Sequence, residues 1–274
     1  MIPGRLKNTT LMRKRLVFSF YVSEDWEESF SNRVHLAYLE HYHDVYDSAF
    51  FIVICDDVNN IGLISGFEKR IVDIGFTSVE FKVTENTLLR EAKPFYEEIV
   101  LKMKEFDGIV TWGHNKGVSS VYFYHEGIFN WISAMYYGTM GLMDDCEKKM
   151  MSNYYGGERY FYGAPLVEGN GKEIPWIYSG TFFNMNPASI VRAMKVEGME
   201  FPKLSNRAYA EMFPGSLFGY ERMGSYKDSY LFHKFSDFYE YSPEDWDIAF
   251  KIIFNDEFDK FKELMEHIWK GKRL

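Results

Sequence analysis

The chain of 274 residues sets 31 Lys+Arg against 40 Asp+Glu, a formal net charge of −9, an acidic balance that argues against a dedicated duplex-DNA binder, and no nucleic-acid partner is expected. At 46% hydrophobic and 26% charged it has the composition of a folded globular protein, which excludes disordered and collagenous classes. Two cysteines, Cys55 and Cys146, can build neither a disulfide scaffold nor a four-cysteine zinc site.

The first 15 residues hold five cations (Arg5, Lys7, Arg13, Lys14, Arg15), but the apolar run after them is only seven residues and ends at Glu24-Asp25. That is too short for a convincing signal peptide, and no stretch approaches a membrane span. A cytoplasmic location is expected. Residues 16–22 (Leu-Val-Phe-Ser-Phe-Tyr-Val) read as a strand buried on both faces. Residues 24–46 follow at helical spacing after a Ser23/Glu24 start signal. A second buried strand spans 49–55 and ends in Asp56-Asp57. A helix over 61–74 closes at Gly75, an alternating edge strand covers 78–83, a helix covers 94–106, and a fourth strand covers 108–112. Strand alternating with helix implies a mostly parallel sheet, with ligands at the carboxyl ends of its strands.

Beyond residue 120 the pattern loosens. Residues 122–151 read as one long, aromatic, Met-rich helix. A short strand follows near 160–164, and 176–185 reads as a strand interrupted at Ser179-Gly180. Pro187 opens a helix capped by Asn186, and 243–269 reads as a final acidic-aromatic helix. The high aromatic content, 19%, fits either a thick core or sugar-stacking surfaces, and cores are the commoner use.

Three segments could carry chemistry. Trp112-Gly113-His114-Asn115-Lys116-Gly117 follows the fourth strand. Its glycines would admit a ligand to the backbone, and Lys116 would meet phosphate, although a plain Gly-bounded turn explains the pattern equally well. It is not a P-loop. In Trp176-Ile177-Tyr178-Ser179-Gly180-Thr181-Phe182-Phe183-Asn184, the glycine marks either a close approach to a ligand or a kink, and Ser179 and Thr181 offer hydroxyls. Arg207 and Glu211 form an i, i+4 pair that is either a surface ion pair or a base with its charge partner.

In this order the three segments resemble a family of bacterial and viral glycosyltransferases with a GT-A-like domain, which carry a His-x-Lys-Gly turn and a Ser-Gly-x-Phe-Trp-type strand. The resemblance spans roughly residues 15–220, and Asn184 stands where the family pattern has a second aromatic. It implies an α/β, GT-A-like, mostly parallel nucleotide-binding sheet flanked by helices, with a mixed α+β acceptor half. The expected single domain divides into a nucleotide-sugar-binding half (16–117), an acceptor half (118–220) and a C-terminal helical extension (221–274). The implied function is transfer of a sugar from a nucleotide-sugar donor to a glycan or lipid-linked acceptor, as in surface polysaccharide synthesis. The alternative is a non-catalytic nucleotide- or glycan-binding module of the same fold.

By that resemblance the substrates would be bound by Asp56, Asp57, Asn115, Lys116, Gly117, Ser179, Gly180, Thr181 and Arg207. Glu211 is the first choice of base, with His114 or Asp57 next. The metal-holding Asp-x-Asp is replaced by His114-Asn115-Lys116, so no cofactor is expected and a divalent metal would have to bind without its usual ligands. Asp144-Asp145 lies on a predicted helix and is discounted as a metal motif. The basic-aromatic C-terminus offers at most a weak contact with an anionic membrane surface.

Overall fold

A computed structural model describes residues 12–115, 125–151, 161–163, 166–168, 176–178, 182–219, 222–224 and 243–272. Strands β1 (Lys14–Tyr21), β2 (Ser48–Cys55), β3 (Val79–Glu85) and β4 (Ile109–His114) alternate with helices α1 (Phe30–Tyr42), α2 (Ile61–Ile74) and α3 (Ala92–Phe95). The second half supplies α4 (His125–Tyr136), α5 (Met143–Met151), β5 (Phe161–Tyr162), β6 (Leu166–Glu168), β7 (Trp176–Tyr178), β8 (Phe183–Met185), α6 (Pro187–Glu197), α7 (Tyr209–Leu217), β9 (Met223–Gly224), α8 (Pro243–Phe254) and α9 (Phe258–Lys272).

Seven strands join one sheet in the order β3-β2-β1-β4-β8-β5-β9. β1 pairs in parallel with both β2 and β4, β2 with β3, and β5 with β9. Only β8 runs against its neighbours β4 and β5. The expected mostly parallel sheet flanked by helices is therefore present. β3 is its half-exposed edge, as the alternating sequence requires.

Side chains alternate across the sheet and build two cores. On one face Phe18, Phe20 and Phe51 pack beneath α1, α2 and α4, joined by Tyr38, Phe67 and Tyr136. On the other, Val17, Ile52 and Trp112 pack beneath α3, α6 and α7, joined by Phe95, Phe183 and Phe213. The aromatic excess serves these cores. Phe18 alone lies within about 6.4 Å, centroid to centroid, of Phe20, Phe51, Tyr136 and Phe182, and aromatic pairs of this kind contribute roughly 0.5–1.5 kcal/mol beyond burial.

Helix ends follow local chemistry. Gly75 closes α2 with φ 98°, and the Asn186 side chain accepts from the Ser189 amide to start α6. The first helix begins later than Ser23/Glu24 suggests: Ser29 is its cap, and 24–28 form turns. Three predicted helices are broken. The 94–106 segment is α3, a π-turn over Tyr96–Val100 and a 3₁₀ turn over Met103–Glu105. The long 122–151 helix divides at a π-turn, Tyr137–Gly141, and the last helix divides at Asn255, whose φ is 43°. The segment 176–185 is two strands in different sheets, with β7 pairing antiparallel to β6 and β8 entering the main sheet. None of the described helices is long and apolar enough to cross a membrane.

The π-turn is tied to the sheet by a buried polar chain. Tyr46 donates to Thr111 (3.0 Å), Thr111 to Asn184 Oδ1 (2.5 Å), and Asn184 Nδ2 to the Thr139 carbonyl (3.0 Å). Asn184 is fully buried on β8. It stands where an aromatic was expected because the widened helical turn presents a carbonyl there that needs a donor.

Gly113 belongs to β4, not to a turn. A Cβ at this position would lie 2.9 Å from Phe18 Cε2 and 3.0 Å from Phe182 Cε1. The residue is small because two rings close over it, and not so that a ligand can reach the backbone. Gly113→Ala is expected to destabilise the fold by about 1–3 kcal/mol, as overpacking of a filled core does. Urea unfolding of the two proteins measures this, and an unchanged midpoint would refute it.

Candidate functional site

The connections define where a ligand crevice opens. α1 and α2 cover one face while the chain moves outward from β1 to β2 and β3. α3 then crosses on the opposite face and delivers β4 to the other side of β1. Successive connections thus part to opposite faces at the β1/β4 boundary, the position at which open α/β sheets take ligands, at the carboxyl ends of the strands.

At that edge Asn115 behaves as an extra peptide unit. Its backbone N–H continues the ladder by donating to the Ser19 carbonyl (3.1 Å). Its side chain then completes the next rung: Oδ1 accepts from the Tyr21 N–H (2.7 Å) and Nδ2 donates to the Tyr21 carbonyl (2.9 Å). The second Nδ2 hydrogen goes to Oδ1 of Asn32 on α1 (2.9 Å), and Asn32 in turn donates to the Trp26 carbonyl (3.0 Å). Both amide hydrogens are consumed within the protein, so Asn115 fixes the strand ends and is not the donor-binding side chain expected of it.

The open part of the edge is polar. The Tyr21 hydroxyl donates to Oδ2 of Asp56 at 2.6 Å, and Asn86 Nδ2 donates to Oδ1 at 2.8 Å. These two hydrogen bonds hold the Asp56 carboxyl below its ordinary pKa. Tyr21 moves the other way, pushed up to about 12 by burial and by the neighbouring Asp56 charge, so it stays a donor at neutral pH. Asp56 is exposed, and each of its oxygens keeps lone-pair capacity for a further donor. Asp57 has a local task instead, since its carboxylate accepts from the Asn59 amide (2.9 Å) and closes a turn before α2. The two acidic neighbours do not form one site.

His114, the last residue of β4, is 6% exposed and lies beside the Phe182 ring. Its Nδ1 is 3.9 Å from Glu91, which precedes α3. Strand alternation places Ser19, Tyr21, Asp56, Asn86 and His114 on the face that α3 and α7 share. Arg90 adds a cation near Tyr21 and holds a left-handed backbone at φ 47°. Such geometry costs about 1–3 kcal/mol and concentrates at functional sites.

Of the other expected residues, Glu211 lies half-buried in the first turn of α7, whose Tyr209 and Phe213 pack on Phe95 of α3. Arg207 is exposed in the turn before that helix, so the pair is not two positions along one helical face. Lys116, Gly117, Ser179, Gly180 and Thr181 lie outside the described residues. Among the described residues, no three His, Cys, Asp or Glu side chains gather to hold a metal ion. Asp145 accepts from the Tyr162 hydroxyl (2.6 Å) and sits near Lys149. Sequence reading missed Tyr21, Asn86, Arg90 and Glu91. The one signal was their place within a residue or a few of the carboxyl end of a strand.

No protein-family model and no curated protein matches the chain. Among solved structures, a 4-diphosphocytidyl-2C-methyl-D-erythritol synthase from Anaerococcus prevotii DSM 20548 is similar over 86% of this chain and 94% of its own, with 9% identity and a TM-score of 0.36.

The brace on Asp56 is open to a direct test. Tyr21→Phe removes a donor to the charged form, so the Asp56 pKa should rise toward the ordinary carboxylate range. A carboxyl-carbon NMR titration reads the shift, and an unmoved Asp56 would remove Tyr21 from the site.

Proposed function

We propose that this chain is a glycosyltransferase that binds a nucleotide-sugar donor at the carboxyl edge of β1, β2 and β4. The observation that carries the reading is the braced, ionised Asp56 at the open end of a parallel sheet whose connections part at β1/β4. A carboxylate with free lone pairs suits the vicinal hydroxyls of a ribose. Sugar transfer, as distinct from other nucleotide chemistry, rests on the resemblance of the His114–Gly117 and Ser179–Phe183 segments to GT-A-like enzymes.

In this reading Asp56 orients the nucleoside, and Lys116 and Arg90 supply positive charge for the diphosphate. No step is assigned to a metal. Glu211 remains the first choice of base for the acceptor hydroxyl, because α7 stands on the same sheet face as Asp56 and His114. His114, backed by Glu91, is the alternative. The lipid-linked or glycan acceptor and a role in surface polysaccharide synthesis belong to the same proposal.

A panel of nucleotide sugars, tested with and without manganese for binding and for donor hydrolysis, decides the question. Asp56→Asn should weaken donor binding roughly ten- to hundredfold, the worth of a hydrogen bond to a charged group. An unchanged affinity would overturn the ribose assignment. Glu211→Gln should lower kcat about 10²–10⁴-fold while donor affinity holds, and near-normal turnover would move the base to His114. Binding without turnover across the whole panel would favour the non-catalytic module.

A further inference from the structure

A concave site lies away from Asp56, where α4 meets α8 and α9. Two adjoining hollows of about 370 and 170 Å³ share Glu126, Asn130 and Lys262, forming one groove. Their combined size falls in the range of small-ligand clefts, roughly 300–1,000 Å³. Trp269 of α9 forms one wall, 38% exposed, with its ring packed on Phe129 (4.8 Å) and Phe30 (6.0 Å).

Three features define what the groove would take. Asn130 is 7% exposed and lines both hollows, yet its amide has no hydrogen-bond partner among the described residues. Its amide is not among the buried polar atoms left unsatisfied, so it faces the groove itself and offers two donors and an acceptor to whatever enters. Second, the cations are already neutralised, Lys262 by Asp247 and Lys270 by Glu266, each at 2.7 Å. Glu126 and Glu244 are left as surplus acceptors, a balance that repels phosphate, nucleotide and anionic lipid. Third, an exposed indole beside an amide and carboxylates matches a ligand with apolar C–H faces and many hydroxyls.

Position gives the groove its meaning. α1 and α4 follow β1 and β4 and so begin at the carboxyl edge of the sheet; the groove is lined by Glu126 and Asn130 from the N-terminal half of α4, and Phe30 at the start of α1 backs its Trp269 wall. It therefore opens on the same edge as Asp56, across the sheet from α3 and α7.

We propose that this groove is a subsite for an uncharged oligosaccharide. Calling that glycan the acceptor rests on the glycosyltransferase reading, whereas the binding itself does not.

The test uses the full chain against an array of neutral and acidic oligosaccharides, followed by calorimetry on the best neutral ligand. Trp269→Ala and Asn130→Leu should each weaken that binding roughly two- to tenfold. Because the Asn130 amide is unpartnered, Asn130→Leu should unfold no earlier than the parent, which keeps the test valid if Trp269→Ala loosens α9. Neutral glycan binding that ignores both substitutions, or no such binding at all, overturns the proposal. So does Trp269-dependent binding to phosphatidylglycerol vesicles in place of glycan. Nucleotide-sugar binding is followed in parallel. Glycan binding without donor binding would sustain the groove and sink the transferase, and donor turnover with an indifferent groove would do the reverse.

Discussion

Three elements, β1, β4 and α1, meet at the side chain of Asn115. β4 ends one residue earlier than β1 needs, and the Asn115 amide supplies the missing rung to Tyr21 while anchoring α1 through Asn32. Without it the final N–H and C=O of β1 would face a largely buried edge unpaired, at about 1–3 kcal/mol each. The clamp also fixes the direction in which Tyr21 leaves the strand, and Tyr21 is what braces Asp56. Fold and candidate site thus depend on the same group.

The polar edge is confined because aromatic packing closes everything behind it. Phe18, Phe182 and His35 stack close beneath Gly113 and His114, so the carboxyl ends of the central strands stand on a rigid floor. His35 itself is committed to the Tyr136 hydroxyl (3.1 Å). A preorganised floor matters for any transfer chemistry, since reacting groups must hold position without reorganising.

A second design choice lies in the irregular helices. The π-turn at Tyr137–Gly141 turns Tyr137 toward Phe254 and Phe261, which ties α8 and α9 to the body. That attachment brings Trp269 beside the first turns of α1 and α4. A straight 122–151 helix would have neither the carbonyl that Asn184 caps nor this seat for the C-terminal helices.

How much was legible depends on the range of the forces involved. Residues 16–22, 49–55 and 61–75 declared strand, strand and capped helix from local pattern, because burial on both faces and a left-handed glycine leave direct marks on composition. The alternation of elements then implied the parallel sheet that the structure has, with Asp56 and Asp57 at the carboxyl end of its second strand. Misreadings arose where one residue answers to distant partners. Gly113 looked like a ligand-approach glycine, but its size is dictated by Phe18, 95 residues earlier, and Phe182, 69 later. Asn115 looked like a ligand contact until its amide was seen pairing with Tyr21, and Asn184 looked like a lost aromatic until Thr111 and Thr139 closed around it. Sequence alone determined the layered α/β plan, because periodicity and capping are local. Only the tertiary structure decided which polar side chains are spent inside the protein and which remain for a ligand, because hydrogen-bond satisfaction is settled between segments far apart in the chain.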